Sequence, residues 1–169
     1  MMATIKKIKS GYEAKQAGEL FERMIEGQAF KQNFHAIKIP MGAKMLSAFK
    51  MIRVATAFDF VLFHQKGVIA LDAKSTKGLR FNASSITPHQ LIQLSKVEQK
   101  GHKAGYLVNF RELDQVIFYS ASKLSKLTKL TSLLPTNGLL VGDKREIDLL
   151  KILSSSEELQ HSPEENTPL

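Results

Sequence analysis

The sequence predicts a mixed α/β (α+β) domain, a central mixed β-sheet flanked by helices. Three observations carry that reading. Strand patterns in the middle of the chain are bracketed by helical ones. A strongly capped helix divides the strands into two groups. Hydrophobic residues make up 43% of the 169, enough to build a core of one domain's size.

Ser10 and Glu13 have capping-box spacing, and a helix is expected from about Tyr12 to Gln28. Ala17, Leu20, Phe21, Met24 and Ile25 form its apolar stripe. Phe34 to Pro40 reads as a short strand. Met41 to Arg53, with Gly42, Lys44, Lys50 and Arg53, suits a protruding loop or hairpin. Phe58 to His64 and Val68 to Lys74 are two strand runs joined by Gln65-Lys66-Gly67, a hairpin turn. Thr87-Pro88-His89-Gln90 opens the next helix, with Thr87 as N-cap, Pro88 at the first helical position and Gln90 completing a capping box. That helix should run to Lys100 and stop at Gly101. Tyr106 to Phe110 and Val116 to Tyr119 pair around a polar turn. Leu124, Leu127, Leu130 and Leu133 give a helical stripe from about Ala121 to Leu134. Asp143 and Glu146 repeat the capping-box spacing before a last helix to about Leu153. The Ser/Glu/Pro-rich segment from Ser154 is expected to be disordered, leaving residues 1–153 as the folded domain.

Charge narrows the partner. There are 24 Lys and Arg against 16 Asp and Glu, a net of +8. Residues 152–169 hold four of the acids (Glu157, Glu158, Glu164, Glu165) and no base, so residues 1–151 carry 24 bases against 12 acids, a net of +12. A folded body so basic points to a polyanion, nucleic acid before membrane. With no cysteine, disulfides, thiolate zinc sites and cysteine nucleophiles are excluded. His35, His64 and His102 lack metal-ligand spacing, and no Gly-rich phosphate loop followed by Lys is present. No apolar run approaches the ~20 residues of a membrane span, and Met1 to Ser10 lacks the apolar region of a signal peptide. A cytoplasmic, nucleoid-associated protein is expected.

The central hairpin carries charges that a sheet core would reject. Side chains alternate faces along a strand, so Val68, Ala70, Asp72 and Lys74 share one face, and Asp59, Val61 and Phe63 share one on the preceding strand. A two-residue turn at Lys66-Gly67 places Asp59 opposite Lys74 and diagonal to Asp72, about 7–8 Å away. Two carboxylates so placed can converge on a divalent ion, with a lysine beside them to hold or activate water. That is the donor set for metal-assisted phosphodiester hydrolysis, for which Mg²⁺ prefers oxygen ligands. Glu19, Glu22 and Glu26 on the first helix offer a third carboxylate. An Asp and a Lys two apart on a strand also suit a solvated ion pair. The longer pattern, two acids and a lysine on a hairpin between an acidic helix and a capped basic one, is more specific.

These residues resemble the PD-(D/E)XK nuclease superfamily, and the layout is similar to the RecU-type Holliday junction resolvases. Gly18-Glu19-Leu20-Phe21-Glu22 resembles their glutamate-bearing helix, Thr56-Ala57-Phe58-Asp59-Phe60 their Asp-aromatic motif, and Leu71-Asp72-Ala73-Lys74-Ser75-Thr76 their catalytic strand. Phe81 with Ile86-Thr87-Pro88-His89-Gln90 resembles the element opening their next helix, and Gly105 to Phe110 the strand after it. The likeness covers roughly Lys15 to Leu130. It implies a restriction-endonuclease-like sheet and a homodimer cutting opposing strands of a four-way DNA junction. It implies metal ligation by Asp59, Asp72 and the Ala73 carbonyl, with Glu22 acting directly or through water. Lys74 would serve the nucleophile and Gln90 would position water or phosphate. The cofactor would be Mg²⁺, with Mn²⁺ substituting, and Met41 to Arg53 would be the stalk entering the junction. Asp72 stands where resolvases usually have glutamate, one methylene longer, and Phe58 where the superfamily name has proline. The expected DNA contacts are Lys44, Lys50 and Arg53 in the stalk, Lys77 and Arg80 after the catalytic strand, and Lys123 and Lys126, with Lys129, beside the leucine stripe; Lys6, Lys7 and Lys9 could add a basic arm. The alternatives are a related nuclease acting on duplex, flap or foreign DNA, and a basic DNA-binding protein of the same fold without turnover.

Overall fold

A computed structural model describes residues 2–40, 42–47, 50–54, 56–126 and 131–155, with backbone alone for 2–10, 42–47 and 50–54. Its elements in chain order are α1 (Met2–Lys31), β1 (His35–Lys38), β2 (Gly42–Ser47), β3 (Lys50–Val54), β4 (Phe60–His64), β5 (Gly67–Thr76), β6 (Phe81–Asn82), α2 (Pro88–Gln99), β7 (Lys103–Phe110), β8 (Gln115–Ser120), α3 (Ala121–Ser125), β9 (Ser132–Leu133), β10 (Leu139–Gly142) and α4 (Leu149–Ser154). The main sheet has six strands in the order β1-β4-β5-β7-β8-β10. Every neighbouring pair is antiparallel except β5 and β7, which run parallel. A parallel pair needs a crossover, and α2 is the helix in that connection. The predicted mixed sheet flanked by helices is therefore observed.

Each face of the sheet is covered. Phe21, Ile25 and Ala29 of α1, at four-residue spacing, pack with Leu149 and Ile152 of α4 over Phe60, Leu62, Ile69, Leu71 and Leu107. Leu94 of α2 and Ala121 and Leu124 of α3 pack on the other face over Ala70, Tyr106, Val108, Ile117 and Tyr119. Helix α1 ends because Asn33 takes a left-handed φ of 61°. Phe34 N–H then reaches the Ala29 carbonyl and Asn33 N–H the Phe30 carbonyl, the bond pattern of a Schellman motif. Gln32 fastens that end to α4: its Nε2 donates to the Ile147 carbonyl at 2.6 Å, and its Oε1 accepts from Leu149 N–H at 2.9 Å.

Several expectations need correction. Helix α1 begins at Met2, so Ser10 lies inside it and does not cap it. Tyr12 and Leu20 are each 63% exposed, so Leu20 leaves the apolar stripe, and Phe21, Ile25 and Ala29 are the α1 residues buried against the sheet. The helix expected from Ala121 to Leu134 ends at Ser125, and Leu133 is instead a buried strand residue paired with Phe81. Thr128, Thr131 and Ser132 are weak helix formers, and burial of Leu133 beneath Phe81 outweighs the leucine period. Leu127, Leu130 and Lys129 lie outside the described residues. The last helix is capped by Asp148, which accepts from Lys151 N–H, and not by Asp143. Asp143 accepts from Arg145 and Glu146 N–H in a turn after β10. The short strands β6, β9 and β10 lie where no strand was expected.

The expected hairpin from Met41 to Arg53 is present as β2 paired antiparallel with β3, a sheet of its own, with Gly42 opposite Val54 and Lys44 opposite Ile52. The tail at 156–169 lies outside the described residues. No helix among the described residues is long and apolar enough to cross a membrane.

Candidate active site

The site lies where the sheet is incomplete. Strand β4 starts at Phe60, opposite Leu71, whereas β5 runs on to Thr76, paired only with β7. From Asp72 onward β5 has no partner strand on its β4 side. That notch allows residues from both faces of the sheet to meet.

Asp59 stands at the mouth of the notch, directly before β4. Its N–H donates to the Leu71 carbonyl at 2.9 Å, and its Oδ2 accepts from the Ala73 N–H at 2.7 Å. The carboxylate thus replaces the missing strand as partner of β5. The N–H and C=O of one strand residue point to the same edge, so the Ala73 carbonyl faces the notch as well.

The register differs from the one expected. His64 pairs with Gly67, which makes Gln65-Lys66 the turn and shifts the pairing by two residues. Gly67 takes a φ of +148°, open to glycine at little cost, and so begins the strand and does not close the turn. Asp59 stands one residue beyond the last pair, Phe60 with Leu71, and its N–H reaches the Leu71 carbonyl, so it is not opposite Lys74. A shift of two keeps every side chain on its face, and Asp59, Asp72 and Lys74 remain together.

Asp72 is fully buried on the α2 face, adjacent to Tyr106 of β7. Its Oδ1 accepts from Gln90 Nε2 at 2.7 Å and its Oδ2 lies 2.7 Å from Lys74 Nζ. Oδ2 has this charge partner but no hydrogen bond of good geometry. Burial pushes the Asp72 carboxyl up to about 6, opposed by Lys74 and reinforced by Asp59. Burial likewise raises Asp59, against the lowering effect of the Ala73 N–H and Lys74. Gln90 is oriented by the capping box predicted from sequence. Its backbone N–H donates to Thr87 Oγ1, and its Oε1 faces the Thr87 hydroxyl at 3.2 Å, so Nε2 is the end left for Asp72.

Glu22 comes from α1 on the opposite face. It lies near enough for its charge to raise both Asp59 and Asp72, but its Oε2 is paired with Lys38 Nζ at 2.7 Å. Among the described residues no three His, Cys, Asp or Glu side chains are gathered closely enough to hold a metal together. Asp59 and Asp72 feel each other's charge, and Glu22 is paired with Lys38. Glu19 is instead loosely paired with Lys15 at 3.9 Å, and Glu26 is exposed.

The remaining residues fall at the periphery. Lys77 and Arg80 are exposed just beyond β5, and Lys123 and Lys126 are exposed on and after α3. The side chains of Lys44, Lys50 and Arg53, and of Lys6, Lys7 and Lys9, lie outside those described. His89 is exposed. His64 accepts from Lys66 N–H and stacks on Phe34 with centroids 4.8 Å apart. Two residues near the site escaped the sequence. Lys38 meets Glu22 from a strand 16 positions later, a spacing that no helix or strand period connects. The buried Tyr106 hydroxyl lacks a partner among the described residues, and burial and Asp72 push its pKa up; in sequence it reads as ordinary strand core.

Comparison with known proteins places this arrangement. A solved structure at 1.6 Å of Archaeoglobus fulgidus Hjc, a Holliday junction resolvase from an archaeal hyperthermophile, matches with a TM-score of 0.53 and 21% identity, over 73% of this chain and 96% of that one. At that identity the likeness is one of fold: the central sheet with its flanking helices is shared. A search of curated proteins found no match. The family model for RecU, Recombination protein U, matches residues 41–137, a span that contains Asp59, Asp72, Lys74 and Gln90 and excludes Glu22 and Lys38. The chain belongs to the RecU family.

Proposed function

We propose that this protein is a divalent-metal-dependent endodeoxyribonuclease that resolves four-way DNA junctions. The observation that carries the reading is the Asp59–Asp72–Lys74 cluster in the notch of the sheet. Two acids act on each other there, one of them fully buried and paired with Lys74. Keeping such a group costs stability, which marks the arrangement as a site. The family match and the resolvase fold of the neighbour are consistent with it.

The donor set fits a hard cation. It is all oxygen, and the buried Asp72 Oδ2 has a charge partner, Lys74, whose ammonium a cation would replace. Asp59 and Asp72 would hold Mg²⁺, or Mn²⁺ in its place, with the Ala73 carbonyl and Glu22 completing the set. When bound, the ion would polarise the phosphodiester and ease ionisation of the attacking water.

The chain's own groups do the rest. Lys74 Nζ, held beside the acids by its pairing with Asp72, would stabilise the developing negative charge on the phosphate. Gln90 keeps Asp72 in one rotamer through its 2.7 Å bond and can share that N–H with a phosphate oxygen. Lys77, Arg80, Lys123 and Lys126 contact backbone phosphates, giving sequence-independent, salt-sensitive binding. The β2–β3 hairpin enters the junction centre, and a homodimer supplies two sites for opposing strands.

A cleavage panel tests this. A four-way junction, flap, duplex and single strand are each incubated with Mg²⁺, Mn²⁺ or EDTA. Paired symmetric nicks near the junction centre, lost in EDTA and in Asp72→Asn, are the expected result. Metal-dependent cutting without junction preference would reassign the substrate. Binding without cutting in either metal would leave a DNA-binding protein.

A further inference from the structure

We propose that Lys38 is a displaceable internal counter-ion that withholds Glu22 from a divalent cation until a DNA phosphate takes its ammonium. The inference rests on the metal-dependent reading above and assigns a regulator to that same site.

Four observations support it. The Lys38 Nζ lies 2.7 Å from Glu22 Oε2, so the glutamate that would be the third acid of the site already has a cation as its partner. Lys38 also feels the charges of Glu26 and Asp59, so its ammonium lies in the field of three acids, Glu22 included. Its stem is guided toward the site: Nζ stands 5.9 Å from the Phe60 ring centroid, and the next residue, Ile39, bonds through its N–H to the Asp59 carbonyl at 2.7 Å. Lastly, the lysine side chain is 49% exposed and the glutamate 27%. A pair this open exchanges partners at small cost, whereas Lys74, 23% exposed and bonded to a buried acid, is less free to leave.

The consequence is a linkage. Glu22 can face Lys38 or a cation in the notch, but not both at full strength. A phosphate offers Lys38 a competing anion, and any group that draws Lys38 away raises the affinity of the acids for the cation. By reciprocity the cation then raises the affinity for DNA by the same factor.

The test reads cation binding and not cleavage. Ca²⁺, an oxygen-seeking probe, is titrated calorimetrically into the full chain: wild type, Lys38→Met, Glu22→Gln and the double variant. Each is measured alone and with a four-way DNA junction, the junction-only titration being subtracted. Lys38→Met should bind Ca²⁺ about tenfold or more tightly than wild type without DNA, in the range that partners of metal ligands exert. Most of that gain should vanish in the Glu22→Gln background. The junction should tighten Ca²⁺ binding to wild type and do so much less for Lys38→Met. Equal or weaker Ca²⁺ binding by Lys38→Met, in a protein whose circular dichroism matches wild type, overturns the proposal and leaves the nuclease reading standing. An equal gain with and without Glu22 also overturns it, since Lys38 would then act as a plain surface charge. A wild type that binds no cation, with Asp72→Asn indistinguishable from it, would sink the metal-dependent reading and this proposal together.

Discussion

Asp72→Asn should stabilise the metal-free protein, by an amount that depends on pH. Folding moves the Asp72 carboxyl from its ordinary 3.8 up to about 6, chiefly by burial. The folded state therefore binds a proton that the unfolded state has released, and stability falls as pH rises between those two values. At 1.36 kcal/mol per unit, the charged form costs the fold on the order of 3 kcal/mol above pH 7. Asparagine removes that charge, fills nearly the same volume and can still accept from Gln90 Nε2. Lys74, partly exposed, can turn to solvent. Urea denaturation in EDTA should thus find the variant more stable than wild type at pH 8 by up to about 3 kcal/mol, with the gap about halved at pH 5. Titrations common to both proteins cancel in the difference. Mg²⁺ at pH 8 should then stabilise wild type by mass action and leave the variant unmoved. An Asp72→Asn protein less stable than wild type at pH 8, or a gap that stays constant with pH, would refute the account of a buried, charge-deficient acid.

Other perturbations separate scaffold from site. Gln32→Ala removes the bonds to Ile147, Leu149 and Leu150 that fasten α1 to α4; it should cost about 2–3 kcal/mol in urea denaturation. Gly105→Ala drives a Cβ into the Tyr119 carbonyl across the β7–β8 pair, and soluble expression or thermal melting should show a loss of at least about 3 kcal/mol. Lys77→Ala combined with Arg80→Ala should weaken junction binding and reduce the log–log salt slope by about 2, read by fluorescence anisotropy across a salt series. An unchanged slope would place the DNA elsewhere.

Local signals were legible in the sequence where one element determined its own structure. The Thr87–Gln90 box capped α2 at the expected residue, because the N-cap hydroxyl, Pro88 and the returning glutamine act within one turn. Ser10–Glu13 and Asp143–Glu146 have the same spacing and failed. A cap forms only where the chain also leaves the helix, and the helical run before Ser10 and the turn at Asp143 removed that condition. The leucine stripe after Ala121 failed for a tertiary reason: Leu133 is buried by a strand pairing with Phe81, more than 50 residues earlier. The Glu22–Lys38 pair was invisible for a similar reason, since it joins α1 to β1 on one face of the sheet, where Lys38 stands opposite Phe60.

The active-site pattern survived an error in register because of parity. Taking Lys66-Gly67 as the turn instead of Gln65-Lys66 moved every cross-strand pair by two residues, so the neighbours were wrong. An even shift preserves the side of the sheet on which each residue lies, so Asp59, Asp72 and Lys74 still shared a face. A slip of one residue would have placed Asp59 in the apolar layer with Phe21 and Ile25 and left Asp72 without its neighbour. The notch adds a second tolerance. Since β4 begins only after Asp59, that carboxylate lies outside the strand pairing and reaches the Ala73 N–H. Faces follow from the alternation of the sequence alone, whereas contacts follow from where strands stop. That is why the acids and lysine of the site could be read from the chain, and the lysine that holds Glu22 could not.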